Sequence, residues 1–547
     1  MKKILMLLFI LFTMDASAQT PIALFPDIQV SQVKFVANNV TRLCYSTLDA
    51  SFYYSTYDGN IYRVTPSGTP DTLLYTINDH ALQTCQGMVM YDSTIFIAGN
   101  NDVDSAYTTG YIMRGQLQAN GTRLWSVQAA TEPYPTAGQL DHHLSGLYLN
   151  KTNDTLYLCN GSRGDHGEVR DNNGLFPNAR LFAINASIFQ IPIANPGLII
   201  PNDSAALDAQ QLIFARGIRN TYDFAYNAAG DLFGAENSGD RDHEDELNFL
   251  QQGHHYGFPW ILGGTDNPQQ HSWFNPAADL LINHNSGSWN QGAFTNDPAY
   301  PQKPAGLIFD LPCLNIGPDA AYMRDSITGT TYNAAALSQG IYSFTPHRSP
   351  LGLAFDTDSS FGGMYRGNGF VLSYTRGDST LAGFSKLLSP FNDHSEDMQL
   401  LQMTKDVNNQ TYSFTSTRIV SNFSHPIDAV ILDTSIYVIE IGYANTSSLW
   451  RIDFPKALSS SLSENDNANI RVYPNPCVDL LQIEFSKSYS NNSIVKIFDV
   501  TGRCVDEKFI NASSSMATLS MSALSSGTYI LQIQMGDDLV RRKVMKW

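Results

Sequence analysis

The stretch Tyr222-Asp-Phe-Ala-Tyr-Asn-Ala-Ala-Gly-Asp-Leu-Phe233 sets the fold class. Two runs of apolar and aromatic residues flank an Asn-Ala-Ala-Gly-Asp turn, the signature of a β-hairpin. Its strands are apolar on both faces, so each face needs a covering layer. The same unit recurs at 51–62, 87–98, 145–158 and 427–438. Sheets stacked radially around an axis bury both faces in this way, and repetition of one hairpin unit is the mark of a propeller. The units lie about 35 to 80 residues apart among the first four, and a long gap precedes the last. At roughly 40–70 residues per blade, the region between 20 and 457 predicts six blades. The expected fold is all-β: a six-bladed β-propeller followed by a small C-terminal β-sandwich. A two-sheet sandwich is the alternative for the large region.

Of the 547 residues, 33 are Lys or Arg and 51 are Asp or Glu, a net charge of −18. Such a chain repels phosphate, which argues against general nucleic-acid binding. Hydrophobic residues make up 43%, enough for a sizeable core and too many for a mainly disordered chain. Residues 1–18 read as a secretory signal. Lys2 and Lys3 precede an apolar run from Ile4 to Phe12, and Ala16-Ser17-Ala18 forms an A-x-A cleavage site. That run is too short to span a bilayer, and no later stretch reaches 18 continuous apolar residues. No transmembrane segment is expected in the mature chain. Export permits disulfides. The six cysteines show no zinc-site spacing, and Cys477 and Cys504, in the last segment, are the most plausible pair.

A polar linker at 458–469 separates two textures. Beyond it come Tyr473-Pro-Asn-Pro476, the alternating strand Leu480-Leu-Gln-Ile-Glu-Phe485, a turn at Gly502-Arg503, Gly527-Thr-Tyr529 and a basic tail with Arg541, Arg542, Lys543 and Lys546. From 463 onward nine basic residues balance nine acidic ones, so the acidity belongs to the large region. In combination, these landmarks resemble the C-terminal sorting domain of the type IX secretion system of Bacteroidetes. The resemblance implies passage through the periplasm to the outer-membrane surface or the medium, with the secretion machinery as partner.

The densest polar text lies in 141–170 and 216–257: Asp141-His-His-Leu-Ser-Gly146, Asn160-Gly-Ser-Arg-Gly-Asp-His-Gly-Glu168, Arg219-Asn220, Glu236-Asn-Ser-Gly-Asp240, Asp245-Glu-Leu-Asn248 and Tyr256-Gly-Phe-Pro259. These runs resemble the glucose/sorbosone dehydrogenase family, whose soluble members use pyrroloquinoline quinone (PQQ) on a six-bladed propeller. Ser349-Pro-Leu-Gly-Leu-Ala-Phe355, Tyr365-Arg-Gly-Asn-Gly-Phe370 and His425-Pro-Ile-Asp428 extend the likeness over most of 40–455.

The resemblance implies oxidation of an aldose at its hemiacetal carbon, with hydride passing to PQQ and onward to an electron acceptor. It makes His143 the proton acceptor, a task suited to neutral imidazole. Adjacent His142 is the competing assignment. Arg219 becomes the cation that stabilises charge on the reduced quinone. Asn220, Arg376 and His425 become further cofactor contacts. Calcium, which favours hard oxygen ligands, is implied at the 237–240 loop (Ser238, Gly239) and at Asp245 and Glu246. Asp165, His166 and Glu168 are expected on a loop at the same mouth, either contacting substrate or metal or simply solvated. The chain departs from the family in three places. Gly161-Ser162 replaces Gly-Asp, Arg376 stands where a lysine is usual, and His425 stands where an arginine is common. Two alternatives stay open: a propeller without cofactor that binds glycan or protein, and a calcium-dependent lactonase-type hydrolase.

Overall fold

The computed structural model describes residues 20–136, 138, 140–375, 388–442, 446–457, 470–485, 493–499, 503–511, 515–535 and 538–547. The signal segment, the 458–469 linker, Arg376 and Gly502 lie outside the described residues. Two compact units emerge, Met1–Ala457 and Leu458–Trp547.

In the first unit, six mainly antiparallel sheets are arranged in a ring. Their innermost strands are Val40–Ser46, Gly87–Tyr91, Leu144–Leu149, Thr221–Tyr226, Pro350–Phe355 and Pro426–Leu432. Each contacts the next, and the sixth contacts the first, so the ring closes. This is the six-bladed propeller, and it excludes the two-sheet alternative. The quoted hairpins fall in blades one, two, three, four and six. Blade five lies in the long gap, behind a segment running from His254 to Thr345. The outer strand of blade six is Gln29–Phe35, which pairs antiparallel with Ser448–Asp453 and joins the two ends of the propeller in one sheet.

Five of the six inner strands carry a register shift near their start: Val40/Arg42, Leu144/Leu147, Thr221/Asp223, Pro350/Gly352 and Pro426/Asp428. A bulge re-aims the side chains around it. Two of the re-aimed aspartates tie neighbouring blades. Asp428 accepts the Leu43 amide at 2.7 Å, and Asp223 accepts the Leu353 amide at 2.8 Å. Arg42, 3% exposed, lies between them, 3.6 Å from Asp223 and 4.0 Å from Asp428, with its guanidinium 4.0 Å from the centre of the Tyr222 ring. Between the blades the packing is apolar, as the residue pattern requires. Phe233, Phe355 and Tyr412 form one such layer, and Ile436, Val438, Trp450 and Phe370 another.

The second unit is a β-sandwich. One sheet runs Ile470–Tyr473, Leu480–Phe485, Met516–Ser520. The other runs Cys504–Ile510, Ser493–Phe498, Gly527–Met535, Asp538–Lys546. Leu481, Ile483, Val495, Ile497, Leu531, Ile533 and Val544 fill the space between them. The expected Cys477–Cys504 disulfide is not formed. Cys477 is wholly buried in this core, whereas Cys504 is an exposed free thiol at the start of an outer strand.

Candidate functional site

A cavity of about 450 Å³ opens at the end of the channel where the inner strands begin. His142, His143, Asn220, Tyr222, Asn237 and Tyr374 are among its walls. Blade three supplies the histidines just before its inner strand. Blade four supplies Arg219-Asn220 just before its own inner strand and Asn237 just after the next one.

The two histidines face different surroundings. The His142 amide donates to the Ser162 carbonyl at 2.9 Å, and the Ser162 amide donates to the Arg219 carbonyl at 2.7 Å. This relay holds His142 on the Arg219 side. Its Nδ1 lies 3.2 Å from the Ser162 carbonyl and 3.4 Å from the Ser162 hydroxyl. Serine 162 thus contributes backbone and hydroxyl oxygens where the family pattern has a carboxylate. Burial, and then the charge of Arg219, push the His142 pKa down to about 3, so the ring is neutral. His143 turns toward Thr136, 3.2 Å from its Nε2, and toward Asp141, at 3.7 Å. Burial opposes its charge, but Asp141 outweighs burial and raises the pKa. Gly161 permits this geometry, because a Cβ there would lie 2.5 Å from the His142 Cβ and 2.9 Å from the Arg219 carbonyl oxygen.

Arg219 is 5% exposed and held at several points. Its Nε donates to the Asp165 carbonyl and its Nη1 to the Asn237 carbonyl, both at 2.8 Å. Its Nη2 donates to the Asp165 carboxylate at 3.3 Å. Asn220 donates to Asn237 at 2.8 Å. Asp165, His166 and Glu168 are not solvated: they are 1%, 2% and 4% exposed. His166 lies 2.9 Å from Asp165, stacks on Phe294 and meets Gln269 at 2.8 Å. Burial opposes the charge on Asp165, but His166 and Arg219 hold its carboxyl below the usual range. Glu168 accepts the amides of Asp165 and His166, both at 2.9 Å. The trio is a buried brace behind Arg219, covered by the segment that carries Gln269 and Phe294. No periodicity signals such burial. The only hint in the sequence is the density of polar and glycine residues in 160–168.

The remaining expected residues spread out. His425 packs against Tyr374 with tilted rings, their centres 4.8 Å apart, and lies 3.6 Å from Glu396, so it adjoins the cavity through the tyrosine. Asp245 accepts the amides of Ser238 at 2.7 Å and Ser349 at 2.8 Å, one on each oxygen. Glu246 accepts the Gly263 amide at 2.7 Å and the Asn248 side chain at 2.9 Å. Burial, and then Glu236, push Glu246 well above the usual carboxyl range. The Ser238 hydroxyl donates to the Glu244 carbonyl. Gly239 lies against Asp165, whose carboxylate a Cβ would meet at 2.7 Å. Gln86 and Tyr57 also line the cavity and were not singled out in the sequence. Neither stands in a chemical motif, and only the ring geometry brings them there.

A carboxylated quinone needs cationic and amide donors along one edge. Asn220 and Asn237 supply side-chain amides on the cavity wall, and the cation of Arg219 lies just behind them, so a donor set of this kind fits. Calcium needs converging oxygens. Both oxygens of Asp245 and of Glu246 already accept protein N–H groups. Among the described residues no group of three or more His, Cys, Asp or Glu converges on a point. The two carboxylates are thus each held by two protein N–H groups, and the backbone carbonyls of Ser238 and Gly239 are the other oxygens of the expected calcium site.

Together these features define a six-bladed propeller with a histidine–amide wall, backed by a buried arginine, at one end of its channel. Residues 90–290 match the family model "Glucose / Sorbosone dehydrogenase", and residues 471–546 match "Secretion system C-terminal sorting domain". The chain carries a glucose/sorbosone dehydrogenase family domain followed by a C-terminal secretion sorting domain. Among solved structures, it is similar to the PQQ-bound aldose sugar dehydrogenase of Streptomyces coelicolor (12% identity, 78% of this chain and 98% of that one, TM-score 0.44). It is likewise similar to the apo soluble aldose sugar dehydrogenase of Escherichia coli (13%, 78% and 99%, 0.47). A third is the holo PQQ domain of pyranose dehydrogenase from Coprinopsis cinerea (11%, 80% and 97%, 0.45). No curated protein matches the chain.

Proposed function

We propose that the chain is an exported, quinone-dependent oxidoreductase that oxidises an aldose at its hemiacetal carbon. The observation that carries this reading is a neutral imidazole on the cavity wall with the buried, braced guanidinium of Arg219 beside it. The geometry favours His142 as the proton acceptor. Its Nδ1–H donates to the Ser162 carbonyl, which leaves the Nε2 lone pair to take the substrate hydroxyl proton. His143, on the Asp141 side, is the second candidate. An anion brought beside Arg219 offsets the smaller of the two causes that lower the His142 pKa, burial being the larger. Arg219, Asn220, Arg376 and His425 are the proposed cofactor contacts, and PQQ, when bound, supplies the hydride acceptor. Arg219 is fixed by Asp165 and Asn237 before any ligand arrives, so its charge needs no reorganisation. Calcium, where present, is assigned to the carbonyls of Ser238 and Gly239.

The proposed domain plan is a signal at 1–18, the propeller at 19–457, a linker at 458–469 and the sorting domain at 470–547. The last delivers the protein through the type IX machinery to the cell surface or the medium. Among the described residues no helix is long and apolar enough to cross a membrane.

One observation favours a second reading, a cofactor-free propeller that binds glycan or protein: Asp245 and Glu246 are committed to protein amides. Calorimetric titration of PQQ into the protein, with and without Ca²⁺, separates the two. Saturable binding in the micromolar range, followed by aldose-dependent dye reduction, is expected. No binding at those concentrations rejects the dehydrogenase reading and leaves the binding propeller.

A further inference from the structure

Arg163 and Arg348 are the two largest side chains that the propeller buries fully. Their charges are met differently. Arg348 lies 2.9 Å from Asp393 and 2.6 Å from Asp397. Among the described residues no ion pair joins Arg163 to a carboxylate. Its Nη1 donates to the Arg170 carbonyl, while its Nε and Nη2, both buried, meet no hydrogen-bond acceptor among those residues. These two nitrogens share one edge of the planar guanidinium, and their N–H bonds run parallel. That edge is the fork with which arginine grips a single anion.

The chain folds a cover over this edge. The Asn172 side chain donates to the Thr136 carbonyl, the Phe176 amide to the Asp171 carbonyl at 2.8 Å, and the Arg170 amide to the Ala179 carbonyl at 2.8 Å. The loop so formed sets the Phe176 and Phe182 rings 5.6 and 5.0 Å from the guanidinium carbon. Burial holds the Arg163 pKa below the usual guanidinium value, and Asp141, Arg170, Glu168 and Asp171 act on it at longer range. Glu168 is occupied by the amides of Asp165 and His166. A guanidinium stays charged in a protein, and a buried charge without a counter-charge is strongly destabilising. Buried donors of this kind mark a water or an ion. Water accepts the two N–H groups but leaves the charge unbalanced.

We infer that the Nε–Nη2 edge of Arg163 holds a small monovalent inorganic anion, a halide such as chloride, sealed beneath the 170–182 loop. Arg163 is 0% exposed, which excludes a larger oxyanion, and it is not among the walls of the cavity, which excludes a substrate or cofactor group. The anion steadies the 160–168 segment from behind. Ser162 in that segment holds His142, and Asp165 holds Arg219. The site is independent of the dehydrogenase reading.

The test takes the full chain in chloride-free buffer and adds sodium chloride. Ionic strength is held with sodium isethionate, whose anion is too bulky for the site. The melting temperature rises by about 2–4 °C as chloride passes from about one to about a hundred times its Kd. Arg163→Met keeps an apolar stem without the charge. It loses the chloride response and melts no lower than the parent in chloride-free buffer. If Arg163 serves only to tie the Arg170 carbonyl, the variant is less stable than the parent by the same margin in both buffers, and the anion is overturned. Crystals of the parent grown in sodium bromide give a readout that needs no variant: anomalous density is expected at the Nε–Nη2 edge. Density without anomalous signal there is a water and overturns the proposal, as does a chloride response that survives in Arg163→Met.

Discussion

His142 and His143 are covalent neighbours in opposite electrostatic settings, one beside a guanidinium and the other beside a carboxylate. If His142 is the base, His142→Ala lowers aldose turnover by about 10²–10⁴-fold, whereas His143→Ala is milder. Steady-state kinetics of both variants, each checked for an unchanged melting temperature, decide between them. The reverse order returns the role to His143. The motif His-x-Ser-Gly points to His143 because it counts residues along the chain. The backbone bonds from His142 to Ser162 and from Ser162 to Arg219 hold His142 on the Arg219 side, and a count along the chain cannot contain them. Arg219 and Asn220 were legible because they stand side by side just ahead of a readable hairpin. Asp165 and His166 were legible as residues but not as a buried brace, since the segment covering them begins some hundred positions later.

At the scale of elements, blade five is fastened by four charged side chains. Arg348, 1% exposed, is 2.9 Å from Asp393 and 2.6 Å from Asp397, and Arg418 joins both carboxylates from the blade's outer strand at 2.9 and 2.8 Å. The cluster fixes the 388–397 segment beside the inner strand that follows Ser349. Arg348→Met leaves two buried carboxylates with one cation and is expected to cost about 3–5 kcal/mol. Denaturant unfolding of the full chain measures it, and a loss below about 1 kcal/mol would show that the cluster relaxes or hydrates. In sequence these four residues look like ordinary surface charges. The strands themselves were readable from alternating apolar and aromatic runs at five of the six blades. Blade five was hidden because its hairpin, Pro350–Phe355 with Gly369–Ser373, is split by a thirteen-residue connection, 356–368, instead of a tight turn.

Over the whole molecule, buried carboxylates give stability a definite pH dependence. Glu440 is 1% exposed, accepts from the Trp450 indole at 2.6 Å and the Ser424 amide at 2.7 Å, and is pushed up to about 8, chiefly by burial. Its unfolded value is about 4.3. The folded protein therefore holds a proton that the unfolded chain releases. That contribution is complete below about pH 4.3 and is lost as pH rises through 8. Glu236, Glu246 and Asp223 are raised in the same sense. The melting temperature should fall between pH 5 and 9, and Glu440→Gln should flatten part of that slope. A melting temperature that rises over this range would contradict the assignment. The architecture was legible at this scale because each blade repeats a local unit; which chain segment closes the ring was not, because that pairing joins residues from opposite ends of the propeller. Gln29 pairs with Asp453, a separation of 424 positions. A ribosome or a translocation channel releases these two segments far apart in time. Until the second arrives, blade six shows a bare edge, and every shorter polypeptide remains an open crescent of blades. Completion of the ring thus reports that the chain has emerged whole through residue 453, so that the sorting sequence behind it is carried by a molecule able to finish folding.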